Sequence, residues 1–285
     1  MKGISHFVRD DRCYETQQPT TATHNMKQPS TIEVTTRQRI ATVWLSRAGS
    51  RNALNEQLVK ELLGAFDMLE ADHEVRVVVL RGRGDYFCAG GDLKWMNGGD
   101  ELPVELHPAT WLSRLFARLY RFPKPVVTLV HGAALGGAMG LVAASDFVIA
   151  EQGAVFSFTE LKLGLIPAVI SPFVIKRIGE FRSRKLMLSA RKISAEEALN
   201  IELIDYVSEI STLEKQLQNL CAELMQGAPL ATQACKQLIV KVAASVMDDA
   251  LFDYTARQLK TIQQGAEAKE GIAAFFEKRT PAWEK

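Results

Sequence analysis

Two glycine-rich runs, FCAGGDLK at Phe87–Lys94 and HGAALGGAMG at His131–Gly140, each follow an apolar stretch typical of a buried strand. Neither run matches the GxGxxG or GxxxxGK[ST] phosphate loops, and the chain has no GxSxG elbow of a serine hydrolase. One such turn alone would indicate a glycine that permits close packing or positive φ. Two of them favour another interpretation, in which backbone N–H groups carry out the chemistry and side chains would obstruct them.

Both runs lead into helix-like sequence, where the first N–H groups lack partners and carry the positive end of the helix dipole. Two N–H groups that converge on one point stabilise a developing oxyanion, and losing one costs roughly 10²–10³ in rate. Glu160 lies in the otherwise apolar run AVFSFTELKLGLIP and is the candidate acid or base. An exposed edge or a cap is its alternative role, but burial would raise its pKa towards neutrality and suit catalysis.

The composition excludes several classes of partner. The chain has 285 residues, with 34 basic and 33 acidic ones and a net charge of +1, so nothing electrostatic points to nucleic acid or an anionic membrane. Its four cysteines show no CxxC spacing, histidine is too sparse for a zinc site, and the apolar runs are too short to span a membrane. We therefore expect free thiols in a reducing compartment, a cytoplasmic location and no bound metal.

The elements that must position the two turns are of mixed type. Strands are predicted at TIEVTT, RIATVWLS, VRVVVLR, KPVVTLV, DFVIAE and AVFSFTE, and helices over Asn55–Glu70, Pro108–Tyr120 and Gly136–Ala144. From Ser194, which forms a capping-box signature with Glu197, the pattern is nearly all helical: SAEEALN, LEKQLQNLCAELMQ, LATQACKQLIVKVA, ALFDYTARQLKTIQ and AKEGIAAFFEK. This order predicts an α/β fold of repeated strand–strand–helix units followed by a helical layer.

Three segments are expected along the chain. Residues 1–30 lack apolar periodicity and are predicted to be a disordered extension, with Met26 rather than Met1 as the hypothetical start. Residues 31–200 form the core and residues 201–285 the helical region. The helical region has more apolar positions than one chain easily covers, which predicts an oligomer.

The motifs SRNALN (50–55), FCAGGDLK, HGAALGG and TELKLGLIP (159–167) occur in the order and spacing of the crotonase (enoyl-CoA hydratase/isomerase) superfamily. EGIAAFFEKRTP (270–281) is similar to that family's closing segment, so the resemblance covers about residues 31–281. It implies the crotonase fold, a spiral of β-β-α turns with a C-terminal helical trimerisation region, and therefore a homotrimer or hexamer. It also implies an acyl-CoA thioester substrate and no cofactor, because coenzyme A is part of the substrate.

The resemblance assigns roles residue by residue. It places the two amides that bind the thioester oxygen at Gly91 and Gly137, with Glu160 as the catalytic carboxylate. Substrate and coenzyme A are expected at a second set of positions: Ala53, Ala89, Asp92, Leu93, Phe275 and Lys278. Of these, Asp92 has the alternative role of a helix N-cap, and Phe275 and Lys278 would reach the coenzyme A of a neighbouring subunit, with a solvated helix lysine as the competing interpretation of Lys278.

One departure from the family pattern bears on the reaction. The best-known hydratases hold water between two glutamates, but the first of these positions is Gly140 here and only the second, Glu160, is a carboxylate. A single carboxylate suits a Δ3-Δ2 enoyl-CoA isomerase, and it can also hydrate if its two oxygens act in succession. The detailed similarity to bacterial hydratases of 3-methylglutaconyl-CoA or isohexenylglutaconyl-CoA favours hydration of a branched or carboxylated 2-enoyl-CoA, in leucine or terpene breakdown.

A carboxylated substrate would need a donor or cation, for which Lys94, Trp95 and the polar loop Asn97–His107 are candidates; the loop is also expected to act as a lid. Cys88 is expected to fill space and His131 to make a local hydrogen bond. A non-catalytic homologue that binds CoA esters or RNA is the alternative from another class. The near-balanced charge and the lack of an Arg/Lys stripe argue against RNA.

Overall fold

The computed structural model describes residues 31–98 and 101–284. The predicted extension, residues 1–30, lies outside them. A six-stranded sheet has the order β1-β2-β3-β4-β6-β9, in which β1 and β2 are antiparallel and the remaining neighbours are parallel. Its strands are β1 (Ile32–Arg37), β2 (Ile40–Leu45), β3 (Val77–Gly82), β4 (Val126–Val130), β6 (Phe147–Glu151) and β9 (Tyr206–Ser208).

The central strands are continuous apolar runs because both of their faces are covered. All five residues of β4 are buried, as are the first four of β3. One face packs with α1 (Glu56–Ala71), α3 (Pro108–Tyr120) and α4 (Ala138–Ala144). The other face packs with α8 (Leu213–Gln226). The predicted strand pair and the predicted bounds of α3 and α8 are confirmed.

A second sheet completes each turn of the chain. It has the order β5-β7-β8, with β5 (Ala133–Leu135), β7 (Val155–Ser157) and β8 (Ile193–Ser194). Isolated parallel bridges, Leu54 to Gly91 and Cys88 to Ala134, extend the same ladder to the earlier turns. Successive turns therefore contribute a strand to the first sheet, a short strand or bridge to the second, and then a helix, which confirms the predicted β-β-α spiral.

The remaining helices lie mostly in the second half of the chain. They are α2 (Leu93–Asn97), α5 (Ser171–Ile178), α6 (Glu180–Ser189), α7 (Ala195–Asn200), α9 (Pro229–Val242), α10 (Asp249–Gln264) and α11 (Ala266–Glu277). Asn55 and Ser194 cap α1 and α7, each accepting a bond from the backbone N–H three residues later, as the capping box predicts for Ser194. Helix α4 begins at Ala138, two residues later than predicted, because Gly136 and Gly137 form the turn that precedes it.

A half-buried ion pair joins the C-terminal region to the first sheet. Lys236 Nζ on α9 lies 2.5 Å from Asp146 Oδ2, and that carboxylate also accepts a bond from Val126 N. Strand β9 also pairs with β6. The segment after residue 200 therefore shares the first sheet with the core. Within the described residues, no helix is long and apolar enough to cross a membrane.

Candidate active site

The first glycine turn is held by a parallel bridge to residue 54. Leu54 N donates to Gly90 O at 2.7 Å, and Leu54 O accepts from Asp92 N at 2.8 Å. In this pattern the intervening residue, Gly91, turns its own N–H away from Leu54. That N–H has no acceptor among the described residues.

Gly90 is the position in this turn where glycine is required. Its φ is +97°, and a Cβ there would lie 2.6 Å from Leu135 O and 3.1 Å from Gly137 N. The two glycine turns therefore meet backbone to backbone, with no room for a side chain between them.

The second turn follows β5. Gly136, with φ +51°, donates to Ser157 O at 2.8 Å and joins β5 to β7. Gly137 comes next, at the start of α4, and its N–H likewise has no acceptor in the part of the chain that the structure describes. A Cβ on Gly137 would lie 3.3 Å from Gly91 N, so the two free N–H groups are close neighbours.

Glu160 follows β7 at the start of a short 3₁₀ segment, Glu160–Leu163. Burial raises the pKa of its carboxyl group, opposed only in part by a backbone hydrogen bond. Its Oε2 atom is buried with no hydrogen-bond partner among the described residues, and Oε1 lies 3.5 Å from the Cβ position of Gly136. A half-buried carboxylate with one unpaired oxygen beside the glycine turns is costly for folding and suited to accepting a proton.

One cavity of about 270 Å³ contains Gly91, Gly137 and Glu160. Of the described residues that line it, Glu160 alone carries a charge. Most of the remaining wall is apolar: Leu93, Met96, Leu112, Leu163, Leu165, Ile166, Val169 and Ile170. The sequence motifs thus meet at a site with two free amides, one carboxylate and an apolar wall.

Gly140, where a second carboxylate would stand in two-glutamate hydratases, has no space for a side chain. A Cβ there would lie 2.7 Å from Ile170 Cγ2 and 2.8 Å from Phe116 Cε2. The apolar side chains from α3 and from the end of the cavity wall fill the volume that a glutamate would need. The departure in sequence is therefore matched by the packing.

The residues that follow Gly91 diverge in direction. Asp92 caps α2, accepting from Lys94 N at 3.1 Å, and pairs with Arg47 at 3.2 Å, in keeping with its alternative role as an N-cap. Leu93 lines the Glu160 cavity, whereas Lys94 and Trp95 line a separate groove on the other side of α2. Of the expected lid loop, residues 99–100 lie outside the described residues.

The expected coenzyme A positions are divided between the wall of the cavity and residues outside it. Ala89 lines it, and the Ala53 carbonyl accepts a bond from Arg47 Nη1. Phe275, on α11, is 78% exposed, and Lys278 follows that helix with φ 53°. Neither of these two C-terminal residues lines the Glu160 cavity within the described part of the chain.

Two residues with no predicted catalytic role behave as expected. Cys88 is fully buried, and this burial raises the pKa of its thiol to about 12, so it fills space. His131 Nε2 lies 2.7 Å from Gly84 O, the predicted local hydrogen bond.

Asn52 is a positioning residue that the sequence did not reveal. It is fully buried with φ +55°, and its Nδ2 donates to the carbonyls of Arg83, Tyr86 and Phe87 at 2.8, 2.8 and 3.1 Å. Its Oδ1 accepts from Arg47 N at 2.8 Å. These hydrogen bonds fix the backbone segment that leads into the first glycine turn. Its place in SRNALN was the available signal, since asparagine tolerates the left-handed conformation.

Comparison with known proteins shows the family of the chain. The enoyl-CoA hydratase/isomerase family profile matches residues 35–285. A putative enoyl-CoA hydratase of Thermus thermophilus is 35% identical over 85% of this chain and 96% of that protein. For the 2,3-dehydroadipyl-CoA hydratase of Escherichia coli, the identity is 34% over 88% of this chain and 98% of the relative. The solved structure of Pseudomonas aeruginosa AtuE has a TM-score of 0.85 at 36% identity, covering 90% of this chain and all of that one.

The fold and the site define a protein of the crotonase class. The chain belongs to the enoyl-CoA hydratase/isomerase family.

Proposed function

We propose that this protein adds water to a 2-enoyl-CoA thioester. The observation that carries the proposal is the convergence of the Gly91 and Gly137 amides and the Glu160 carboxylate on one apolar cavity. The hydratase names of its relatives support the same reaction. The backbone at Ala53 and Ala89 is proposed to hold coenzyme A.

The chemistry uses one carboxylate twice. Water attacks Cβ of the enoyl group and gives a proton to Glu160, while the electron pair of the double bond moves through Cα to the thioester oxygen. The Gly91 and Gly137 N–H groups donate to this enolate oxygen. The proton on Glu160 then passes to Cα, the enolate collapses to the thioester, and the net change is addition of one water. The raised pKa of Glu160 suits it to both transfers near neutral pH.

The lining of the cavity favours a branched acyl group over one that carries a carboxylate. Its described lining contains apolar side chains and no cation, so a substrate carboxylate would lie there unpaired beside Glu160. Lys94 and Trp95, the proposed carboxylate partners, face the groove on the other side of α2. We therefore propose a branched, uncharged 2-enoyl-CoA as the preferred substrate and 3-methylglutaconyl-CoA as a poorer one.

Δ3-Δ2 isomerisation is the second candidate, and the packing at Gly140 is the observation that favours it. Moving a proton between two carbons needs one base and no water, and Phe116 and Ile170 leave space for only one carboxylate. A 2-enoyl-CoA loses its conjugated thioester absorbance on hydration, whereas a 3-enoyl-CoA gains it on isomerisation.

The test is a panel of short, branched and carboxylated 2-enoyl-CoA esters together with a 3-enoyl-CoA. Hydration of the branched esters, abolished in Glu160→Gln, is the expected result. Turnover of the 3-enoyl-CoA alone would instead support the isomerase. Turnover that persists unchanged in Glu160→Gln would refute the assigned base.

We also propose a homotrimer or hexamer. The C-terminal helices expose large apolar side chains, which is unusual for a surface that faces only water. They include Ile239, Phe252, Leu259, Phe275 and Phe276. In such an assembly Phe275 and Lys278 would reach the coenzyme A of a neighbouring subunit. Light scattering at micromolar concentration tests this, and a monomeric mass would contradict it.

A further inference from the structure

Thr159 directly precedes Glu160, and its hydroxyl does not cap the 3₁₀ segment that follows. Threonine at the start of a helix commonly caps it through the side-chain oxygen. Thr159 makes no such bond to the 3₁₀ segment that begins at Glu160. Across the residues that the structure describes, this hydroxyl has no other hydrogen-bond partner.

The free hydroxyl belongs to the wall of the catalytic cavity. A Cβ added to Gly136 would lie 3.0 Å from Thr159 Oγ1 and 3.5 Å from Glu160 Oε1. Two oxygen atoms therefore flank the same glycine, directly before the Gly137 amide. Glu160 Oε2 is also without a partner among the described residues, so this corner holds two side-chain oxygens that can bind a water molecule.

Hydration by a single carboxylate leaves one requirement unmet. Glu160 can take a proton from the attacking water, but a second polar group is needed to fix the direction of the oxygen lone pair. In two-glutamate hydratases the partner carboxylate does this, and here its volume is filled by Phe116 and Ile170. Thr159 is the uncharged polar side chain that lines the described cavity beside Glu160.

We infer that Thr159 is a further catalytic residue, whose hydroxyl holds the attacking water together with Glu160. This inference rests on the proposed hydratase function. The water donates one hydrogen to Glu160 and the other to Thr159 Oγ1, and its oxygen attacks Cβ. Only the first hydrogen is transferred, so the Thr159 O–H bond stays intact and Glu160 still returns the proton to Cα.

Three variants test the inference. Thr159→Val keeps the shape and removes the hydroxyl, Thr159→Ser keeps the hydroxyl, and Thr36→Val, on the exposed side of β1, is the remote control. Steady-state hydration of the best substrate in the panel gives kcat and KM for each, and thermal unfolding shows whether each is folded. We expect Thr159→Val to lower kcat roughly 10–100-fold, with KM changed by less than about twofold, because the water loses its orientation while substrate binding is retained. Thr159→Ser should retain at least about a third of kcat, and Thr36→Val should match the wild type.

The outcomes separate this inference from the function beneath it. If the wild type hydrates its substrate and Thr159→Val keeps more than half of kcat, Thr159 does not hold the water. Equal losses in Thr159→Val and Thr159→Ser would also overturn the inference, since a role in packing would then explain both. A wild type that hydrates no ester in the panel would overturn the proposed function, and this inference with it.

Discussion

Substitution by alanine should be strongly disruptive at Gly90 and well tolerated at the adjacent Gly91. A Cβ on Gly90 would lie 2.6 Å from Leu135 O, on a backbone with φ +97°. A Cβ on Gly91 would meet only Met96, at 3.4 Å from Cγ, and the functional N–H of Gly91 would remain. The side chain is therefore excluded at the first position and tolerated at the second, although both belong to the same motif.

The magnitudes follow from these contacts. For Gly90→Ala, the left-handed conformation costs about 1–2 kcal/mol and the overlap with a backbone oxygen about 1–3 kcal/mol, or about 2–5 kcal/mol of unfolding free energy in all. Relief of that overlap separates the two turns, and a displacement of about 1 Å in a catalytic group costs roughly 10² in rate. For Gly91→Ala we expect a change in unfolding free energy within about 1 kcal/mol, and kcat/KM reduced by no more than about threefold.

The assay is the loss of conjugated thioester absorbance on hydration, with urea unfolding measured on the same samples. Equal loss of kcat/KM in both variants would refute the reasoning, because it would mean that the side-chain-free surface of Gly91 matters and not its N–H. An active Gly90→Ala variant would refute the close approach of the two turns.

Three further substitutions test other parts of the site. Gly140→Glu should lower the unfolding free energy by at least about 3 kcal/mol and gain no activity, because Phe116 and Ile170 occupy the space that the new side chain would need. Gly49→Glu is the control, since a Cβ on Gly49 would have nothing within 4 Å, and an active, stable Gly140→Glu variant would contradict the packing. Asn52→Ala should lower the unfolding free energy by about 3 kcal/mol or more, because it leaves three carbonyls unpaired, whereas Asn55→Ala removes one helix cap and should lower it by about 1 kcal/mol. Equal losses of unfolding free energy in urea would refute the role of Asn52. Because burial raises the pKa of Glu160 in the folded protein, kcat/KM should fall on acidification at a pH above its usual 4.5, and the unfolding free energy should fall as pH rises from the unfolded-state pKa through the raised one. Glu160→Gln should therefore be more stable than the wild type only above that range, and a pH-independent difference would contradict the shift.

The sequence was sufficient where local patterns decide structure. The 3.6-residue periodicity of Pro108–Tyr120 and Leu213–Gln226 matches the bounds of α3 and α8. Helix α6 was not predicted, since its sequence EFRSRKLMLS has little amphipathic pattern and only Ser183 and Leu186 are buried. The short strands β8 and β9 were missed as well, because they form by pairing with distant strands.

For the site, motif order predicted which groups should meet but not what surrounds them. Gly91, Gly137 and Glu160 share one cavity, as expected from their motifs. The filling of the Gly140 position depends on Phe116 and Ile170, which lie far from it in sequence and reach it only through packing. The directions of Lys94 and Trp95 depend on the rotation of α2, which a helix of five residues does not reveal in its pattern.

The central claim is that two backbone amides and one carboxylate act on a single thioester. A crystal structure of the protein with a saturated acyl-CoA, which cannot be hydrated, tests it most directly. We expect the thioester oxygen within about 3.2 Å of both Gly91 N and Gly137 N, with Cα and Cβ facing the Glu160 carboxylate. A thioester oxygen that contacts neither amide, or an acyl chain directed away from Glu160, would contradict the account.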